Sequence, residues 1–297
     1  MRPDICIHHA PCADGFTAAW SIWKRWPDTE FVPGVYGQEP PDVADKDVLI
    51  VDFSYKRPIL EQMARSARSI TVIDHHKSAE ADLAAFTSID GILIPYGQLA
   101  EQSDFMHTLP IQARFRMDRS GAMLAWEYAH PGEPVPKIVE MVQDRDLWKF
   151  LLPYTREFAA YLFSFDYDFE AWDEIATAVE HPSSFAHCVA QGQAIERKHH
   201  KDVAELLAIT TRSMVIGGFT IPVANIPYTM SSDAANILAK HNRFGACYYD
   251  NAEGRRVFSL RSTEDGIDVS EVAVMYGGGG HKHAAGFTAP HGWEGDV

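Results

Sequence analysis

Two stretches of this chain, DVLIVDF at 47–53 and SITVIDHH at 69–76, run several apolar or β-branched residues together without a polar break and then end in acids or imidazoles. DICIHH at 4–9 has the same form. Short apolar runs that do not alternate belong to strands covered on both faces, as in a parallel sheet. Parallel strands need long crossovers, and helical patterns stand where the crossovers would be. GFTAAWSIWKRW (15–26) sets Trp20, Ile22 and Trp23 along one side, and RPILEQMARSAR (57–68) groups Ile59, Leu60, Met63 and Ala67. A fourth strand is expected at GILIPY, 91–96. The expected class is α/β, with a doubly wound parallel sheet in the N-terminal part.

From about residue 110 the pattern turns helical: RSGAMLAWEYAH (119–130), opened by Ser120 as a cap, then 135–150 and 169–180. Residues 183–209 form one long, mostly polar helical pattern that could bridge two domains. Strands then return. TRSMVIGGFTIPVANI reads as a hairpin turning at Gly217-Gly218, and FGACYYD and RRVFSLRS as two more strands. DVSEVAVMY reads as a helix, followed by GGGGHKHAAGF. The expected organisation is an N-terminal domain at 1–190, a linker helix at 191–210 and a smaller α/β substrate-binding domain at 211–297, with a cleft between the domains.

Composition bounds what such a chain can do. With 297 residues it can bury roughly 75% of its unfolded surface and needs no disulfide or zinc staple. No apolar run reaches the ~18–20 residues of a membrane span, and MRPDICIHHAPCADG is polar where a signal peptide would be apolar, so a cytoplasmic protein with no membrane partner is expected. Cys6, Cys12, Cys188 and Cys247 form no CxxC pair. A formal net charge of −15 argues against long duplex DNA as a partner, though not against a short phosphorylated ligand held by a metal.

In open parallel sheets, ligands sit beyond the carboxyl ends of the strands. Here the first strand ends in His8-His9 and leads to Asp14, the second ends in Asp52, and the third in Asp74-His75-His76. Asp144 and Asp146 form a further acidic pair at the end of an apolar helical run. One such residue alone is usually a cap or a surface group; at three strand ends together they suggest a metal site. Imidazoles and carboxylates without thiolate pairs suit hard to borderline divalent ions, manganese before magnesium. Several adjacent carboxylates stay ionised together only with cations beside them. Two ions ~3.5–4 Å apart would serve in-line attack on phosphorus. The four glycines 277–280 let backbone amides and a ligand approach closely, and the helix-forming HAAG after them could place an anion at a helix N-terminus.

These motifs in this order, HHAPCADG, VDF, IDHH, DRD and GGGGHKHAAGF, resemble those of the DHH phosphoesterase superfamily with its DHH-associated C-terminal domain. The family's activities range over single-strand exonucleases, nanoRNases, cyclic-dinucleotide phosphodiesterases, adenosine-bisphosphate phosphatases and pyrophosphatases. The resemblance implies a DHH catalytic domain whose metal ligands are His8, Asp14, Asp52, His75 and Asp144, the last bridging, with Asp146 as its alternate. It implies that His76 faces the scissile phosphate, and that Asp52 and Asp144 share in catalysis. Asp74 and Cys12 are further candidates for the metal. Arg261, Gly278, Gly279, Gly280 and His281 resemble the substrate-holding motifs. The expected cofactor is one or two divalent ions, Mn2+ first, with Mg2+ or Co2+ as alternatives. The expected reaction is hydrolysis of a phosphodiester or phosphomonoester in a short oligonucleotide or small nucleotide; a homodimer stays open. Cys12 departs from the pattern, standing where the family usually has an aspartate. Two alternatives stay open: a pyrophosphatase or polyphosphatase, and a nucleotide-binding protein with a degenerate metal site.

Overall fold

The computed structural model describes residues 2–87, 93, 94, 96–106 and 108–296. It divides into two compact units, Met1–Glu196 and Arg197–Val297. In the first, β1 (Ile5–His9), α1 (Ala13–Arg25), β2 (Glu30–Gly34), β3 (Asp47–Val51), α2 (Arg57–Met63), β4 (Ser69–Asp74), α3 (Lys77–Asp82), α4 (Tyr96–Met106) and β5 (Ile111–Phe115) alternate along the chain. Then come α5 (Gly121–Ala129), α6 (Lys137–Asp146), α7 (Thr155–Leu162), α8 (Phe169–Val179) and α9 (Pro182–Thr210), the last running across the division.

The five strands lie in the order β2-β1-β3-β4-β5 and every pairing is parallel. Both faces are covered, which is why the strands read as unbroken apolar runs. Ile5, Ile7, Val48 and Ile50 pack on one side with Leu60, while Cys6, Leu49, Val51 and Ile73 pack on the other with Ile22 and Leu124. A separate helical core joins Phe16, Trp20, Trp126, Phe158 and Trp172. Register decides where the strand ends lie. Val51 pairs with His8 on one side and with Ile73 on the other. The next residues, His9, Asp52 and Asp74, therefore lie at one level, at the carboxyl edge of the sheet.

Two strands of this sheet differ from the expectation. β2, EFVPG, sits at an edge, where Pro33 is tolerated because no inward amide is needed. The other edge strand is β5, IQARF, interrupted by Gln112. That buried amide donates to Thr71 Oγ1 at 2.9 Å and to Ile94 O at 2.8 Å, so a polar residue is satisfied inside the layer. The strand expected at 91–96 falls partly on residues 91, 92 and 95, outside the described residues, and Tyr96 already opens α4.

The second unit holds β6 (Thr211–Ile216), β7 (Phe219–Asn225), α10 (Ser231–Ala239), β8 (Gly245–Asp250), β9 (Arg255–Arg261), α11 (Val269–Met275), β10 (Gly279–His281) and β11 (Ala284–Pro290). Its strand order is β10-β11-β9-β8-β7-β6, antiparallel except for β7 with β8. The β6–β7 hairpin turns at Gly217 and Gly218, both at positive φ, as a tight hairpin turn requires. α11 covers one face through Val269, Val272 and Ala273; α10 contributes Ala234 and Ala235 to a cluster that includes Val203 of α9 and Ala224. HAAG is the start of β11 rather than a helix, since Ala284–Pro290 continues the sheet beside β9. Among the described residues, no helix is long and apolar enough to cross a membrane.

Trp172 is fully buried and donates its Nε1–H to Thr17 Oγ1 at 3.1 Å, tying α8 to α1. Trp172→Ala should destabilise the N-terminal unit by about 3–5 kcal/mol, read as a shift of its chemical-denaturation midpoint.

Candidate metal centre

The centre is built around Asp52, the residue that follows β3. Its backbone is left-handed, with φ +54°, a region that aspartate enters more readily than most residues. Its N–H still donates to Ile73 O at 3.0 Å, so the departing chain remains tied to β4. The side chain is 1% exposed. Oδ1 lies 3.0 Å from His75 Nε2, and Oδ2 lies 3.4 Å from His9 Nδ1.

A helix is cut to fit against this carboxylate. At Gly121, the first residue of α5, a Cβ would fall 2.3 Å from Asp52 Cβ, so only glycine allows the approach. Ser120 caps the same helix by accepting from Met123 N at 3.3 Å. The amides of Gly121 and Ala122 donate to the two oxygens of Asp14, at 2.6 and 3.1 Å. Asp14 comes from the first turn of α1, so one carboxylate joins two helix N-termini to the edge of the sheet. The serine-glycine pair at 120–121 thus acts as more than a cap, and a glycine at a helix start ahead of an apolar run was the available sign.

His75 gathers the acids. Its Nε2 is 3.0 Å from Asp52, 3.6 Å from Asp14 Oδ2 and 3.7 Å from Asp146 Oδ2. Burial alone would lower the affinity of His75 for a proton, but the hydrogen bond to Asp52 and the charges of Asp146, Asp52 and Asp14 raise its pKa well above the usual value. Burial likewise raises Asp14, helped by repulsion from Asp146 and Asp52. Burial is also the main cause of the raised pKa of Asp146. Asp52 goes the other way: burial opposes its ionisation, yet the hydrogen bond to His75 and the charges of His75 and His9 hold it well below the carboxylate range. The imidazoles supply positive charge to a pocket of acids.

Behind this group Asp74 holds the backbone of one histidine and the ring of the other. Its Oδ1 accepts from His75 N at 2.7 Å and stands 2.7 Å from His76 Nδ1. That contact orients the His76 ring, the arrangement a second-layer carboxylate gives a working imidazole.

Two expected assignments are corrected by the geometry. Asp144 is not beside His75. Its Oδ1 accepts from Leu151 N at 2.9 Å, and its Oδ2 from Leu152 N at 3.0 Å and Thr155 Oγ1 at 2.5 Å. It fastens the turn after α6, and Asp146, half a helical turn on, reaches the centre instead. In a helix, residues two apart point in different directions, so only one of this pair can face the sheet edge. His8 is the second correction. It sits edge-on to Phe16 at 5.9 Å with Nδ1 3.3 Å from His9 O, and burial pushes its pKa down to about 4. Adjacent strand residues face opposite ways, and it is His9 that meets Asp52. Cys12, half-buried at the N-cap of α1, completes a group with His9 and Asp52.

A cation fits the donors that remain. Asp52 Oδ2, Asp74 Oδ2 and His9 Nδ1 are buried and have no hydrogen-bond partner among the described residues. A buried carboxylate oxygen without a donor costs about 1–3 kcal/mol or more. Ligand atoms of Asp14, His75 and Asp146 lie within 4.8 Å of one another, as do those of Asp52, Asp74, His75 and His76. The donor set, mostly carboxylate with imidazole, suits a divalent ion.

In the second unit, the glycine run is shaped by the fold before any ligand. Gly277, at φ +77°, donates to Val274 O at 3.0 Å, and Gly278 N donates to Ala273 O at 2.9 Å, closing the end of α11. A Cβ on Gly278 would stand 2.1 Å from Gly286 O, and Gly279 pairs with Gly286 across the sheet. The expectation that these amides cradle an anion therefore fails for Gly277 and Gly278. Gly280 and His281 lie in β10, and Arg261 ends β9, where it donates to Ser232 Oγ and Leu260 O, both at 2.8 Å.

Residues 218–295 match the DHHA1 domain family. The match lies within the second unit. Over 310 aligned residues the chain is 28% identical to the uncharacterized protein R106 of Acanthamoeba polyphaga mimivirus, across 96% of this chain and 67% of that protein. Similar solved structures include the DHH domain of a member of a family of ribosomal proteins, at 15% identity over 98% of this chain and 83% of the other, TM-score 0.47. A pGpG-specific phosphodiesterase from Vibrio cholerae aligns at 11% identity over 98% and 94% of the two chains, TM-score 0.39. An exopolyphosphatase-related protein from Bacteroides fragilis aligns at 12% over 100% and 89%, TM-score 0.41.

The two acids of DRD should separate cleanly by experiment. Asp146→Asn should weaken Mn2+ binding by calorimetry at least ~10-fold while leaving thermal stability intact or raised, because it removes like-charge repulsion. Asp144→Asn should lower stability by about 1–3 kcal/mol, because an amide nitrogen would face donors that need an acceptor.

Proposed function

We propose that this protein is a divalent-metal-dependent phosphoesterase acting on short oligonucleotides or small nucleotides. The observation that carries this reading is His75 Nε2 within 3.7 Å of carboxylate oxygens from Asp14, Asp52 and Asp146, at the carboxyl edge of a parallel sheet. Asp14, Asp52, His75 and Asp146 would hold an ion, Mn2+ by preference for this oxygen-rich set. When bound, such an ion acts as a Lewis acid on phosphoryl oxygens and activates water at neutral pH.

The remaining work falls to the chain's own groups. His76, its ring fixed by Asp74, is assigned to the phosphoryl group, either stabilising its charge or giving a proton to the leaving oxygen. Arg261 and His281 are assigned to a second phosphate, with Gly279 and Gly280 permitting close approach. Arg261 is already oriented by Ser232 and the Leu260 carbonyl, so little side-chain freedom is lost on binding. The net charge of −15 favours short substrates, since a long strand calls for a basic groove with stacking aromatics along it.

The test is turnover with Mn2+ on a linear dinucleotide, a five-residue oligonucleotide, adenosine 3′,5′-bisphosphate, a cyclic dinucleotide and pyrophosphate. Cleavage of a nucleotide substrate with pyrophosphate left intact is expected, and Asp52→Asn should reduce turnover at least ~100-fold at saturating metal. Undiminished turnover by Asp52→Asn, or hydrolysis of pyrophosphate alone, overturns the assignment.

A further inference from the structure

The group on the far side of Asp52 has a different chemistry from the group around His75. It consists of an imidazole, a thiol and a carboxylate, from His9, Cys12 and Asp52, whose ligand atoms lie within 4.8 Å of one another. We propose that Cys12 supplies a thiolate ligand to an ion on the His9 side of Asp52, and that this thiolate gives that position a preference for a zinc-class ion over Mn2+ or Mg2+. The proposal rests on the proposed function and concerns the metal preference of one of the two ion positions expected there.

Three observations support it independently of the thiol itself. First, His9 Nδ1 and Asp52 Oδ2 are buried and lack a hydrogen-bond partner among the described residues, although they face each other. Second, their separation is 3.4 Å. Two ligands each ~2.0–2.2 Å from one ion and set at a tetrahedral angle stand about 3.3–3.6 Å apart, so the pair is already spaced for a tetrahedral ion. Third, Asp52 presents its other oxygen, Oδ1, to His75. One carboxylate therefore addresses two groups at once, the position a bridging ligand occupies.

Cys12 then decides the preference. It occupies the N-cap of the 13-residue helix α1 in extended backbone, a position where a side chain normally accepts from the first turn. Its side chain makes no such bond and belongs to the His9–Asp52 group instead. Burial raises the pKa of the Cys12 thiol, so a bound metal would supply the charge that draws off its proton. On binding, the S–H bond breaks, a sulfur–metal bond forms, and the proton leaves to solvent. Thiolate, imidazole and one carboxylate suit Zn2+, whereas Mn2+ and Mg2+ favour oxygen ligands. The centre would then be asymmetric, with a softer ion on the His9 side and a harder one on the His75 side.

Metal-stripped full-length protein titrated with Co2+ gives a direct readout, because a thiolate on cobalt produces a sulfur-to-metal charge-transfer band. We expect that band to saturate at one equivalent and to be displaced by Zn2+ but not by Mn2+. Cys12→Ser should abolish it and weaken Zn2+ binding, measured by chelator competition, by at least the ~10–100-fold that loss of an outer-layer partner costs. Cys12→Asp should also lack the band and move the preference toward Mn2+. Cobalt binding without the band, or Zn2+ affinity unchanged in Cys12→Ser, overturns the proposal. Hydrolysis measured on the same preparations separates the two ideas. A band without turnover of any substrate sinks the proposed function and leaves this site standing; turnover with Mn2+ and no band does the reverse.

Discussion

A buried carboxylate with one oxygen unanswered governs the N-terminal unit. Asp52 is held in left-handed backbone at a strand end, and its Oδ2 has no donor among the described residues. Neighbouring elements are shaped around it. Gly121 lacks the side chain that would strike it, Asp14 is gripped by the amides of α5 beside it, and His75 faces its other oxygen. Three acids in one buried group repel one another, and the shifted pKa values of Asp14 and Asp146 record that repulsion together with burial. Without metal, protons on His75 and His9 are the charges at hand to offset it; a divalent cation does so more fully.

Around that group the structure separates holding from positioning. Asp14 does both, since its oxygens are hydrogen-bonded to a helix N-terminus while Oδ2 also lies 3.6 Å from His75. Asp74 accepts from the His75 amide and contacts the His76 ring, so in Asp-His-His the acid ties down the backbone of one histidine and the ring of the next. Asp144 is wholly a positioning residue. The turn it fastens includes Trp148, Phe150 and Tyr154, each at positive φ, and such backbone persists only where the surroundings over-determine it.

Much of this was legible in sequence. Strands with both faces covered write themselves as apolar runs, so β1, β3 and β4 could be read, and with them the edge where ligands gather. β2 and β5 could not, because edge strands tolerate a proline and a buried glutamine that lacks any apolar signature. Site residues followed the same division. Asp14, Asp52 and His75 stood alone at their positions, and the structure brings them together. His8 against His9, and Asp144 against Asp146, are choices between near neighbours of the same type, and they turn on which way a side chain points. A motif fixes the residue type but not the rotation of the helix or the last twist of the strand. The glycine run misled for a related reason: a stretch without side chains suits an anion loop and a tight sheet contact equally well, and here close pairing with Gly286 requires it.

The acidity of the chain bears on how an anionic substrate could be held at all. A net charge of −15 repels phosphate at long range, but ions screen that field beyond ~8 Å at physiological strength. Within that distance the local sign decides. At the edge of the parallel sheet the fold collects carboxylates that attract metal, and a metal-filled centre presents positive charge where the unfilled one presents negative. The acids that set the negative charge of the chain are thus also the means by which a short phosphate would be held through a metal. Affinity for substrate should then be linked to metal occupancy more strongly than to the bulk charge of the surface, since the sign of the local field depends on the ion and not on the distant residues.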